Sequence, residues 1–126
     1  MKSRDTAFRL KRFEASERVR KVCDLEQMIR EFELITTDLE RQIQAEEDRT
    51  GVRDPGHFAY STFAKSAADR RENLMASIEN LRLQYEAAVR ARDEVLEDLE
   101  RTDQPDPRDH MRGRRRPERE AKVEMR

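Results

Sequence analysis

Two histidines, one cysteine and a knot of acids are the residues of this chain that could do chemistry, and none has the company such chemistry needs. His57 and His110 lie far apart, with no second ligand at metal spacing beside either, so neither predicts a metal centre. Cys23 has no histidine placed to act as its base, and its position predicts a solvated surface thiol. Glu46, Glu47, Asp48 and Asp54 gather negative charge without the spacing of a calcium loop, which reads as solubilising. Neither G-x-x-x-x-G-K-[ST] nor G-x-G-x-x-G occurs, so nucleotide binding has no support. The expectation is a chain with no catalytic, cofactor-binding or metal-binding residues. It is not an enzyme on this reading, and its work is to bind other proteins.

Binding chemistry points to three places. The segment from Asp54 to Ala68 contains Phe58, Tyr60 and Phe63, aromatic side chains of the kind that anchor interfaces when exposed. The bland alternative is a hydrophobic plug folded over Ile43 and Ala67. We expect at least one aromatic to plug and another to meet a partner. The stretch containing Arg112, Gly113, Arg114, Arg115, Arg116 and Pro117 can neutralise phosphates, but Asp106, Asp109, Glu118 and Glu120 dilute it and no aromatic interleaves for base stacking. Nucleic acid is therefore not an expected partner. Phe8, Leu10 and Phe13 among Arg4, Arg9, Lys11 and Arg12 offer a modest route to peripheral membrane contact.

These residues must be positioned by helices. With 126 residues, 44% of them charged against 35% hydrophobic, the chain lacks the apolar side chains for a broad core. A narrow helix–helix seam is the economical use of what it has. The fold class predicted is all-α: two long helices in an antiparallel coiled-coil hairpin over 1–102, then a flexible Arg-rich tail over 103–126. The first helix is expected over about 6–48, capped by Ser3 or Asp5, with Val22, Leu25, Ile29, Phe32, Leu39 and Ile43 on a heptad stripe whose missing step is Thr36. Gly51, Asp54, Pro55 and Gly56 predict a reversal over about 49–61. The second helix, over about 62–102 and capped by Ser61 or Thr62, carries Leu74, Ile78, Leu81 and Tyr85 on its own stripe between Ala67 and Leu99.

The stripes fit one register, in which residue numbers facing across the seam add to 110. Phe32 then faces Ile78, Ile29 faces Leu81, and Leu25 faces Tyr85. The same register brings Arg18 near Arg92 and Lys11 near Leu99, so the end bearing both termini is expected either to splay or to lay those long stems on the seam and reach Glu14, Asp93 or Glu94. Exposed pairs such as Glu14–Arg18, Glu17–Lys21, Glu26–Arg30 and Glu86–Arg90 have favourable i, i+4 spacing. Met28, Ile35, Leu83, Val89 and Leu96 widen the apolar face beyond what two helices cover. The net charge of −1 offers no global field for anionic surfaces, the lone cysteine suits the cytoplasm, and no window approaches the ~20 apolar residues of a spanning helix.

The opening Met1 to Phe13, and above all Asp54-Pro55, His57-Phe58-Ala59-Tyr60, Phe63-Ala64-Lys65 and Arg70-Arg71-Glu72-Asn73-Leu74, resemble the short alphaproteobacterial form of the flagellar export protein FliJ family. The resemblance covers about residues 1–100. It implies a soluble, non-catalytic coiled-coil stalk of the flagellar type III export apparatus, at the cytoplasmic face of the cell membrane. The partners it implies are the export ATPase and its regulator, the cytoplasmic domain of the export gate, and export chaperones. It assigns no role to the Arg-rich stretch and transfers no gate-binding residue. Two other classes of function stay open: a transcription regulator that inserts its acidic tip, with Glu46, Glu47 and Asp54, into RNA polymerase, and an RNA-binding tail on a coiled coil.

Overall fold

The computed structural model describes residues 2–103, so all but the first residue of the expected 103–126 tail, with His110, lies outside the described residues. Helix α1 spans Lys2–Thr50 and helix α2 spans Thr62–Asp103, and they pack against each other as an antiparallel hairpin. At about 1.5 Å per residue, 49 and 42 residues give helices of roughly 70 and 60 Å. Helix α1 runs this far because nothing interrupts it: no glycine or proline precedes Gly51. It begins earlier than expected, at Lys2, so Ser3 and Asp5 lie inside its first turns and neither is the residue preceding the helix.

The core is a single file of side chains. Ala15, Val22, Leu25 and Leu39 of α1 and Ala64, Ala67, Ile78 and Leu81 of α2 are buried. The other expected seam residues, Ile29, Phe32, Ile43, Leu74 and Tyr85, are half-buried. Two helices thus cover some seam side chains almost completely and leave the outer edge of these five open to solvent. Ala64, fully covered at 0% exposure, extends the second stripe one heptad before Arg71, beyond the expected limit at Ala67.

Polar pairs across the seam fix the register. Lys11 Nζ donates to Asp98, Tyr85 donates its hydroxyl to Glu26 at 3.2 Å, Arg82 meets Glu33 at 2.8 Å, and Arg71 meets Glu40 at 3.6 Å. The residue numbers of each pair add to within a few of 110, as the stripes require. Arg71, predicted opposite Leu39, lays its stem along the seam, where its Nε is buried without a hydrogen-bond partner.

The end bearing the termini does not splay. Lys11 crosses to Asp98 and Thr102, Arg18 turns back to Glu14 at 3.7 Å, and Arg92 takes Asp93 at 3.0 Å. Each of these cations has a carboxylate within a turn or directly across, which draws its charge off the seam. Of the exposed pairs expected, Glu14–Arg18 forms; Glu17 instead meets Arg20 at i+3, and Glu26 accepts the Tyr85 hydroxyl.

Leu39 sits at the heart of this file, whereas Leu34, on the same helix, faces solvent. Leu39→Ala should cost about 2–5 kcal/mol in urea unfolding followed by circular dichroism, while Leu34→Ala should stay within about 0.5 kcal/mol of the parent.

Candidate partner-binding site at the hairpin tip

The tip is built from residues that stop one helix and start the next. Gly51 ends α1 with φ at 75°, its N–H donating to the Glu47 carbonyl at 2.8 Å, a closure that a side chain would strain. The Thr50 hydroxyl accepts from Val52 N–H at 3.2 Å. Two tight turns follow. Asp54 accepts from Gly56 N–H on its side chain and from His57 N–H on its carbonyl; His57 accepts from Ala59 N–H on Nδ1 and from Tyr60 N–H on its carbonyl. Ser61 then caps α2, its hydroxyl accepting from Ala64 N–H at 3.1 Å.

Two hydroxyl groups strap the turn to the end of α1. Tyr60 donates to Glu47 at 2.6 Å, and Ser61, while capping α2, donates to Glu46 at 2.6 Å. Arg49 holds Glu46 from the other side at 2.7 Å, and Arg53 reaches Asp48 at 2.6 Å. The Arg49 guanidinium and, after it, the Ser61 hydroxyl hold the Glu46 carboxyl down at about 2. Arg53, followed by Gln44, lowers Asp48 below the ordinary carboxylate range. The acids expected to be free solubilising charge are therefore the fasteners of the turn. Among the described residues, no group of three or more His, Cys, Asp and Glu side chains is arranged to hold a metal ion.

The three aromatics separate into different roles. Tyr60 is half-buried and is tied down through its hydroxyl to Glu47. Phe58 is 96% exposed, stacked on the His57 ring at 4.7 Å between centroids, and Phe63 is 55% exposed on the first turn of α2. Neither Phe plugs the turn, because Ala64 and Ala67 already close the seam beneath it. The geometry thus presents Phe58 on a braced loop. A side chain held out by a rigid backbone meets a pocket with little further loss of freedom.

Away from the tip, Phe8 lies in a groove of about 700 Å³ between the helix ends with Leu96 and Leu99, under the Arg12 guanidinium at 5.9 Å. Leu10 and Phe13 stay on the outer surface, and Cys23 is exposed as expected. No described helix is long and apolar enough to cross a membrane. No protein-family model, curated protein or solved structure matches this chain.

Because the folded Glu46 carboxyl titrates near 2 and not near its usual 4.5, its contribution to stability is full above about pH 4.5 and is lost as pH falls towards 2. Melting temperatures across that range should fall less steeply for Glu46→Gln than for the parent, and the variant should melt lower at pH 7. Hydrogen bonds to Glu47 and Glu26 raise the phenols of Tyr60 and Tyr85, the only two tyrosines, above their ordinary range. An ultraviolet titration should show both ionising above pH 10, and Glu47→Gln should return one of them towards 10.

Proposed function

We propose that this chain is a non-catalytic stalk or adaptor of the flagellar type III export apparatus, working at the cytoplasmic face of the membrane. In this reading it links the export ATPase and its regulator, the cytoplasmic domain of the export gate, and substrate chaperones. The observation that carries it is a coincidence at the turn. The segment Asp54–Leu74 that resembles the FliJ family is also the segment that braces Phe58 at the end of a slim rod. A rod two helices wide, with charged outer faces, suits insertion into a ring or bridging between separate partners. Its fastened tip suits repeated docking.

Glu46 and Glu47, which a polymerase-inserting regulator would present outward, spend their carboxylates on Arg49, Ser61 and Tyr60. That weighs towards the export reading.

Tagged chain should co-purify with the export ATPase or the gate domain, and deletion of its gene should impair swimming. Phe58→Ala should weaken the captured complex about tenfold or more without changing the circular dichroism of the hairpin. Unimpaired swimming after deletion would overturn the assignment.

A further inference from the structure

The two sides of the seam are unlike. On one side, Arg82–Glu33, Arg71–Glu40 and Tyr85–Glu26 lace the helices together. On the other, α2 shows only uncharged residues for five turns: Asn73, Asn80 and Ala87 in one row and Ser77, Gln84 and Ala91 in the row nearer the seam. From α1, Met28 and Ile35, each 41% exposed, stand beside them. In a chain that is 44% charged, such a stretch is unusual. A groove of about 470 Å³ opens there onto the half-buried ring of Phe32, with Met28, Ala76, Ser77, Asn80 and Gln84 around it. Three other grooves among the described residues are each lined by three or more charged residues; this one has none.

We propose that this face pairs with the same face of a second copy, making a four-helix dimer whose two-fold axis runs along the rod. The face is self-complementary in that arrangement alone. A two-fold along the rod lays α1 of one copy on α2 of the other, so at one height Ile35 meets the small Ala76 and Ser77, and Met28 meets the uncharged Asn80 and Gln84. It also sets the acidic row of α1, Asp24, Glu31 and Asp38, beside Asn73 and Asn80. A two-fold across the rod would lay α1 on α1 and press the two acidic rows together. The area is sufficient for a weak dimer. Residues 73–91 run roughly 27 Å along two helices each about 10 Å wide, so the pair covers about 1,000 Å² in total, near the lower bound for a specific interface. Dimerisation would complete the burial of Phe32 that one hairpin leaves half done. Both tips would then sit at one end of the assembly.

Sedimentation equilibrium of the full chain at about 200 µM should give close to twice 15.0 kDa. Ala76→Glu or Ser77→Glu, both at exposed helix positions, should return it to monomer with helicity unchanged. Met75→Lys, on the laced side, should leave the dimer intact. High salt should not dissociate it. In a Cys23→Ser background, spin labels on Phe58→Cys should lie within about 30 Å of each other, whereas the crosswise arrangement would hold them about 60 Å or more apart. A monomeric parent would overturn the proposal and leave the face to a helix of another protein. A dimer indifferent to both acidic substitutions, or one with widely separated tips, would overturn it equally.

Discussion

Everything in this molecule depends on one file of small and medium aliphatic side chains held between two helices. Among the described residues, eight buried side chains, three of them alanine, do the work that a broad core does elsewhere. Alanine at Ala15, Ala64 and Ala67 lets the helices approach closely, and Val22, Leu25, Leu39, Ile78 and Leu81 supply the apolar area. Since the seam is one residue deep, every larger side chain on it spills outward. That spill leaves Phe32 and Tyr85 half-covered, and the polar tip of Tyr85 turns this to use by reaching Glu26.

Charge is arranged around that limit. Lys11, Arg18, Arg71 and Arg92 occupy seam positions where a leucine would deepen the core. Each finds a carboxylate, on Asp98, Glu14, Glu40 and Asp93 respectively, and Lys11, Arg71 and Arg92 do so while half-buried. The pairs are solvent-accessible and individually weak. Their larger effect is on alignment, since a helix slipped by one heptad would leave Lys11 away from Asp98 and Arg82 away from Glu33.

Much of this was legible from periodicity. The hairpin, its register and the burial of Val22, Leu25, Leu39, Ile78 and Leu81 all follow from heptad spacing, which reports which side of a helix is apolar. Half-burial of Ile29, Phe32, Ile43 and Leu74 was not legible, because spacing says which face points inward and not how much of it a single neighbour can cover. The seam cations were ambiguous for a similar reason: whether Arg18 and Arg92 push the helices apart depends on side-chain reach. At the tip, Gly51 and Pro55 announced a reversal, but the partners of Tyr60 and Ser61 depend on how two successive turns are phased. Glu46 and Glu47 could therefore be recognised as acids near a turn, and not as the groups that hold it shut.

Besides the pairs along its middle, the rod is fastened towards both ends, Ser61 and Tyr60 on Glu46 and Glu47 at one, Lys11 on Asp98 at the other. Two slender beams joined only in their middle can slide past each other when bent, and each then resists as a separate thin beam. Pinned at both extremities they must stretch and compress together, and their resistance grows with the square of the distance between their axes. A sideways push on Phe58 is thus met by the whole length of the hairpin as a single lever, and reaches the far end as a displacement instead of being lost as local bending.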